Sequence, residues 1–142
     1  MELLLDTNAM IWFLNGSHLN PNAIVEIAQA QADSTLYVSP ISAWEAALAL
    51  RKPEHRRPDL KGQDAATWFS SGYRAMGAKV IPIRARIAIE ASRIPAVSNN
   101  GDPGDCYIIA TARVRHLAIV TRDRVILSLA TRQPNYVDAL AC

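Results

Sequence analysis

Acidic side chains recur along this sequence where an apolar, strand-like run ends or a helix begins. In a parallel sheet such points lie at the carboxyl edge of the strands, which is where ligands bind. Carboxylates gathered at that edge would repel one another unless a cation lay between them. The pattern therefore predicts a divalent-metal site made by Asp6, Glu45, Asp105 and Asp123.

The predicted ligands are oxygen atoms only, without histidine or cysteine, and such a set selects Mg²⁺ or Mn²⁺ over zinc. An ion of this kind can polarise a phosphodiester and lower the pKa of a bound water, and two ions about 4 Å apart can steady both the attacking and the leaving oxygens. Metal-assisted phosphodiester hydrolysis is the reaction class that follows. Hydroxyl and amide neighbours would orient the carboxylates, or would equally serve as turn or cap residues. They are Thr7, Asn8, Ser42 and Thr121.

Helix capping is the simpler explanation for most of these aspartates. Asp6 would cap a helix that begins at the next residue, because a carboxylate there accepts backbone N–H groups and favours the positive end of the helix dipole. Asp102 precedes a proline, a common way to open a helix, which places Asp105 in the first turn. Asp123 lies near the start of the following short helix. Capping alone would leave no special role for these residues.

Glu45 does not fit the capping explanation, because it shares a predicted helix face with the apolar residues Ile41 and Leu48. A carboxylate on that face is partly buried and needs a cation, a proton or several hydrogen-bond donors. No lysine or arginine lies one turn before it, and Arg51 and Lys52 mark the solvated end of the helix. A shared metal would satisfy Glu45, and a long-range salt bridge is the alternative.

The composition indicates a single domain spanning residues 1–142. Half of the residues are apolar, which is enough to close a core without disulfides or structural metals. No apolar run reaches the about 18 residues of a membrane span, and the first residues are too short and too acidic for a signal peptide, so we expect a cytoplasmic protein. Cys106 and Cys142 lie far apart and are expected to be free thiols.

Basic side chains are clustered although the net charge is only +2. One cluster surrounds residues 51–61, and the other is expected beside the acidic site, within residues 113–124. Such clusters are either solvated helix ends and loops or a phosphate-contacting rim around the metal. The candidates for nucleic-acid contact are Arg51, Lys52, Arg56, Arg57 and Arg122.

Strands and helices are predicted to alternate, which indicates a parallel sheet covered on both faces. The predicted strands are residues 2–5, 35–38, 79–83 and 117–121, with a weak strand near residues 136–137. The predicted helices are residues 7–14, 21–32, 41–51, 64–76, 84–93, 102–115 and 123–129. A charged loop at residues 53–62 and a polar connection at residues 94–101 complete the chain.

The acidic motifs, taken together, resemble those of the PIN-domain family, and specifically the VapC toxins of bacterial VapBC toxin–antitoxin pairs. Residues 4–8, Leu-Leu-Asp-Thr-Asn, resemble the opening strand and first acidic ligand of the family, and residues 42–45 resemble its Ser-x-x-Glu helix. Residues 102–112 are similar to a His-x-Asp-Pro-Phe-Asp-Arg-x-x-x-Ala-x-Ala stretch of one subgroup, and residues 117–123 to its Leu-x-x-Val-Thr-x-Asp strand. The order and spacing match across nearly the whole chain.

The resemblance implies a three-layer α/β/α PIN-like domain with a mainly parallel sheet of about five strands. It also implies a Mg²⁺- or Mn²⁺-dependent endoribonuclease, often dimeric, that is neutralised by a small VapB-type antitoxin whose tail occupies the active-site groove. The four predicted acidic ligands take the acidic places of the family, and Asp102 becomes an auxiliary carboxylate. Three residues depart from the subgroup pattern: Asn100 replaces His, Gly104 replaces Phe and Cys106 replaces Arg.

Three other functions compete with this hypothesis. A phosphoacceptor receiver domain would need a second acidic residue beside Asp6, and the sequence supplies none. A haloacid-dehalogenase-like phosphatase would place an aspartate at position 8 as general acid, where this chain has Asn8. A catalytically silent PIN module that binds RNA or a protein partner is disfavoured by the intact acidic set.

Overall fold

A five-stranded parallel sheet forms the centre of the computed structural model, which describes residues 1–98 and 101–142. The strand order is β3-β2-β1-β4-β5, and every neighbouring pair is parallel. The architecture predicted from the sequence is thereby confirmed. The strands are β1 (Leu3–Leu5), β2 (Leu36–Val38), β3 (Lys79–Val80), β4 (Ala118–Thr121) and β5 (Asp138–Ala141).

Seven α-helices connect and cover the strands in the described part of the chain. A single 3₁₀ turn, Glu54–Arg56, interrupts the loop predicted at residues 53–62. The helices are α1 (Thr7–Leu14), α2 (Pro21–Asp33), α3 (Ile41–Ala49), α4 (Ala65–Ala75), α5 (Ala85–Ser98), α6 (Pro103–Arg115) and α7 (Arg124–Arg132).

The core is divided by the sheet into two apolar clusters. Successive strand residues point to opposite faces, so Leu3 and Leu5 pack with α1, α2 and α4, whereas Leu4 packs with α5, α6 and α7. The helix α3 contributes to both clusters, through Ala46 on one side and Ile41 on the other. This division is the three-layer α/β/α arrangement that the sequence predicted.

Three elements differ clearly from the sequence prediction. The strand expected over residues 79–83 ends at Val80. A polar connection was expected from residue 94. This prediction is wrong for residues 94–98, because α5 continues through Pro95 to Ser98. Its buried positions, Ile87, Ala91, Ile94 and Ser98, follow helical spacing, and that apolar face carries the helix past the proline. The last strand is β5 and begins at residue 138, because its register is set by pairing with β4.

The topology brings the ends of several elements to the carboxyl edge of the sheet. Strands β1 and β4 are neighbours, and each is followed at once by a helix, α1 and α7 respectively. The central strand β1 is completely buried, which explains its unbroken leucine run. No helix in the described ranges is long and apolar enough to cross a membrane.

Candidate functional site

An acidic cleft of about 200 Å³ opens at the carboxyl edge of the sheet. It brings together the four acidic residues that the sequence predicted as ligands, which come from four separate segments of the chain. The residues that line it, hereafter the acidic cleft, are Asp6, Thr7, Asn8, Trp12, Glu45, Asp105, Arg122 and Asp123.

Asp6 both caps a helix and faces the cleft. It follows β1, and its Oδ1 accepts the Ala9 N–H at 2.8 Å as the N-cap of α1. Its Oδ2 accepts the Thr121 hydroxyl at 2.5 Å. The capping explanation and the site explanation therefore hold together for this residue, because each uses a different carboxylate oxygen.

Asp123 is held in the same manner at the end of the neighbouring strand. Its Oδ1 caps α7 by accepting the N–H groups of Val125 at 2.8 Å and Ile126 at 3.0 Å. Its own N–H donates to the Thr121 hydroxyl oxygen at 2.9 Å. Thr121, which is fully buried, therefore connects the two strand-end carboxylates and fixes their relative position.

Asp102 and Asp105 open α6, as the sequence predicted. Asp102 is the N-cap, and its Oδ1 accepts the Asp105 N–H at 3.2 Å. Asp105 lines the acidic cleft, whereas Asp102 is exposed and lies outside its lining. Asp102 still acts on the site through its charge, because it contributes to the raised pKa of Glu45.

Glu45 reaches the cleft from α3 and is oriented by hydroxyl groups. The Thr7 hydroxyl donates to Glu45 Oε1 at 2.6 Å and also lies 2.9 Å from the buried Ser42 Oγ. Glu45 is half-buried, as predicted, but the neighbours expected for it were partly wrong. Leu48 is exposed, and the buried face of α3 carries Ile41, Ser42 and Ala46.

Gly104 is a contributor to the site that the sequence reasoning missed. A Cβ atom at this position would lie 2.4 Å from Cδ and from Oε2 of Glu45. The first turn of α6 can therefore approach the Glu45 carboxylate only because residue 104 has no side chain. The sequence did show Gly104 as a departure from the subgroup pattern, which has Phe at this position, and that departure could have indicated its role.

Of the other two departures from that pattern, Cys106 does not line the acidic cleft. Cys106 is buried in the apolar cluster around α6, where burial and the charges of Asp105 and Asp102 raise the pKa of its thiol. Asn100 lies outside the described residues. Cys106 and Cys142 are buried thiols that form no disulfide within the described ranges, which confirms the prediction made from their spacing.

A basic groove of about 470 Å³ continues from the acidic cleft. The two share Thr7, Asn8, Trp12 and Glu45 as lining residues. Its outer wall is the loop that follows α3, which the Asn15 side chain holds by donating to the Asp59 carbonyl at 2.9 Å. The basic residues that line the groove are Lys52, Arg56 and Arg57.

The remaining basic candidates are placed differently. Arg51 is exposed and does not line the groove. Arg122 lines the acidic cleft, with its guanidinium carbon 4.0 Å from the centroid of the Trp12 ring. The second basic cluster was predicted beside the site, and this is wrong for Arg113 and His116, which line a cavity at the opposite edge of the sheet. They lie there because α6 runs away from the site toward the start of β4.

Burial and the repulsion from neighbouring carboxylates make Asp6 and Glu45 hard to ionise. Burial is the main cause that raises the pKa of Asp6, and the charge of Asp123 adds to it. Burial also raises the pKa of Glu45 to about 7, with further contributions from the charges of Asp105, Asp102 and Asp6. The ion pairs found among the described residues involve Asp59 and Glu90, so none compensates Asp6, Glu45 or Asp123.

Comparison with known proteins identifies the family. The model of the PIN domain matches residues 3–131. The chain belongs to the PIN-domain family. A search of curated proteins gives no match for this PIN domain.

Solved structures with the same fold include VapBC and FitAcB structures. VapBC2 from Rickettsia felis, bound to a DNA fragment from its promoter, has a TM-score of 0.70 and 14% identity over 100% of this chain and 99% of that one. DNA-bound VapBC from Salmonella typhimurium has a TM-score of 0.66 and 17% identity over 99% and 98%. FitAcB from Neisseria gonorrhoeae has a TM-score of 0.59 and 22% identity over 97% and 96%.

The donor types in the cleft of this PIN domain fit a hard divalent cation. The cleft offers carboxylate oxygens and hydroxyls, without histidine or cysteine in its lining. Within residues 1–98 and 101–142, no three acidic, histidine or cysteine side chains form a ready-made metal-binding group. Binding of a cation would therefore require the carboxylates to move closer together around it.

We predict that Glu45→Gln stabilises the metal-free protein at high pH but not at low pH. The pKa of Glu45 is about 7 in the folded protein against 4.5 ordinarily, so its ionisation opposes folding increasingly between those two values and fully above them. The melting temperature of the variant minus that of the parent should be near zero at pH 4.5 and positive at pH 8. A gain of a few degrees is expected, since about 1 kcal/mol corresponds to about 2–4 °C in a domain of this size.

Thermal unfolding in EDTA at both pH values measures this difference. The exposed Asp138, at the start of β5, provides the matched control, and Asp138→Asn should give no comparable pH-dependent gain. Loss of a charge within the cleft is thus compared with loss of a charge at the opposite sheet edge. An equal difference between Glu45→Gln and parent at both pH values would contradict the prediction.

Proposed function

We propose that this PIN domain is a VapC-type toxin, a Mg²⁺- or Mn²⁺-dependent endoribonuclease that hydrolyses RNA phosphodiester bonds and acts in the cytoplasm. The observation that carries the proposal is the continuity of the acidic cleft with the basic groove. A polyanion lying in the groove would have its backbone phosphates near cationic side chains, with one phosphodiester beside the carboxylates. This is the arrangement that a metal-assisted phosphodiesterase needs.

The proposed metal ligands are Asp6, Glu45, Asp105 and Asp123, with Asp102 as an auxiliary carboxylate. A bound Mg²⁺ or Mn²⁺ would supply the charge that polarises the phosphodiester and activates a water molecule for attack. The raised pKa values of Asp6 and Glu45 support this assignment, because partly buried carboxylates require a cation or a proton. A cation would also remove the repulsion that raises the pKa of Glu45.

Residues around the ligands hold them in place. Thr121 fixes Asp6 and Asp123 through one hydroxyl group, and Thr7 fixes Glu45. Ser42 supports Thr7 from the buried face of α3. Asn8 is exposed and lines both the cleft and the groove, so we assign it to contact with the substrate or with a ligand carboxylate.

We further propose that a VapB-type antitoxin neutralises the protein by placing its tail in the groove, and that the toxin is a homodimer within that complex. The fold shared with toxins in VapBC and FitAB complexes supports an antitoxin partner. The DNA in those structures belongs to those complexes. For this chain, RNA is the proposed substrate.

A silent PIN module that binds RNA or protein is the competing proposal. It is favoured by the separation of the carboxylates, which form no ready-made metal-binding group among the described residues. The receiver and phosphatase alternatives have no comparable support. A receiver would need an acidic residue beside Asp6, where Thr7 and Asn8 supply none, and the phosphatase would need an aspartate at position 8, where Asn8 lines the cleft.

Asp105→Asn should abolish metal-dependent RNA cleavage while the fold remains intact. The substitution removes one proposed ligand and also relieves repulsion, so the metal-free variant should be as stable as the parent or more stable. Cleavage of end-labelled structured RNA is measured with Mg²⁺ or Mn²⁺ against EDTA. Asp138→Asn, the same change at the opposite sheet edge, is the control that keeps activity. Full activity of a folded Asp105→Asn variant would refute the site assignment.

Replacing Arg56 and Arg57 together with alanine should weaken RNA binding and reduce its salt dependence. Two lost phosphate contacts on a single strand correspond to a change of about 1.4 in the slope of log K against log salt concentration. Binding is measured on the Asp105→Asn background to prevent cleavage. The control replaces Arg115 and Arg132, which are exposed at the ends of α6 and α7. If the slope of log K against log salt concentration is the same in the groove variant and in the control, this loop does not contact the RNA.

Gly104→Ala should lower cleavage by about 10- to 100-fold, the cost of misplacing a reacting group by about 1 Å. The new Cβ would displace the flexible Glu45 side chain, and the melting temperature should change little for that reason. Gly101→Ala is the control, since a Cβ there meets nothing within 4 Å. Adding Glu45→Asp to Gly104→Ala should recover part of the lost rate by shortening the side chain. Unchanged cleavage in Gly104→Ala would show that Glu45 needs no such space.

A further inference from the structure

Trp12 occupies the junction between the acidic cleft and the basic groove. It lies on α1 with Thr7 and Asn8, and all three residues line both spaces. Trp12 is half-buried, and its ring is the only aromatic one among the described residues that line the cleft and the groove. A polymer that passes from one space to the other must therefore pass this ring.

The Trp12 ring is held in a fixed orientation from two sides. The body of the ring packs against the apolar cluster on one side of the sheet. The Arg122 guanidinium lies over the ring at 4.0 Å, and its Nη2 donates to the carbonyl of His18 at 2.5 Å and to that of Cys142 at 3.4 Å. Because the ring is already immobilised, stacking of a ligand on it costs little further conformational entropy of the Trp12 side chain.

The chemistry of this junction suits a nucleobase. A guanidinium already satisfies the attraction of the ring for a cation. Arg122 lines the acidic cleft but not the basic groove, so the part of the Trp12 ring that lines the groove is suited to a flat, uncharged partner. Base–aromatic stacking is tolerant of sequence, and it requires an unpaired base whose face is accessible. The neighbouring basic groove supplies charge for the backbone on either side of such a base.

We propose that Trp12 is a stacking platform for one unpaired base of the RNA substrate, next to the phosphodiester that lies in the acidic cleft. This inference rests on the proposed function and adds a base-binding residue, Trp12, to the proposed site. Arg122 is the positioning residue that holds the platform. Its role differs from the direct RNA contact expected from the sequence, which stays a prediction.

The test compares binding of a fluorescein-labelled, mixed-sequence RNA oligonucleotide with binding of its perfect duplex. All proteins carry Asp105→Asn, so that no cleavage occurs. Trp12→Leu should weaken single-strand binding by between about 5- and 150-fold, the equivalent of one base–aromatic stack, and should leave duplex binding unchanged. Trp12→Phe should retain most of the affinity, because a smaller ring still stacks. Trp44→Leu is the matched control, since Trp44 is exposed on α3 and lines neither space.

Quenching of tryptophan fluorescence gives a second measurement that does not depend on folding of the leucine variant. Single-stranded RNA should quench the emission of the parent and of a Trp44→Phe variant, and should quench that of a Trp12→Phe variant much less. Equal quenching in the two phenylalanine variants would overturn the inference. Equal loss of single-strand and duplex binding in Trp12→Leu would overturn it as well.

The outcomes separate this inference from the proposed function. If the protein without Asp105→Asn cleaves RNA in a metal-dependent manner, but Trp12→Leu has no effect on single-strand binding, the nuclease function is supported and the stacking role of Trp12 is refuted. If there is no cleavage, but single-strand binding depends on Trp12, the nuclease function is refuted. The stacking role of Trp12 then belongs to a silent RNA-binding module.

Discussion

The electrostatic constraint on which the structure depends is the confinement of several carboxylates in one partly buried cleft. Burial raises the pKa of Asp6 and of Glu45, and neighbouring negative charges raise them further. A fold tolerates such a cluster only when other interactions hold its members in place. Here the sheet provides that support, because β1 and β4 are buried, paired neighbours that place Asp6 and Asp123 at the same edge.

Helix capping is the means by which the carboxylates are held. Asp6 and Asp123 each cap the helix that follows their strand through one oxygen. Thr121 bonds to Asp6 and to the backbone of Asp123, so that the two caps form a single unit. Stabilisation of helix starts thus compensates part of the cost of gathering negative charge. Glu45 has no such cap and depends on Thr7 and on the space left by Gly104.

Much of this arrangement could be predicted from the sequence, because it depends on local signals. The leucine run before Asp6 and the apolar run before Asp123 predicted two strand ends, and parallel strands place their ends at one edge. Most helix starts were also local, since four helices follow a capping aspartate and α2 begins at a proline. These signals located α1, α6 and the four acidic residues that line the cleft.

The features that the sequence did not reveal depend on packing between distant segments. The role of Gly104 depends on its close approach to Glu45 on α3, and the residues next to Gly104 in the sequence do not indicate this approach. The register of β5 is set by β4, and the strand lacks the β-branched residues that would mark it. Trp12 acquires its position through Arg122, which is distant in sequence.

Binding of a divalent cation in the acidic cleft is the central claim, and a titration with Mn²⁺ followed by electron paramagnetic resonance tests it most directly. We expect saturable binding at pH 8 that Mg²⁺ displaces, that is lost in Asp105→Asn and that persists in Asp138→Asn. The number of ions bound per chain would follow from the same titration. Absence of saturable binding, or equal binding by the parent and Asp105→Asn, would contradict the claim.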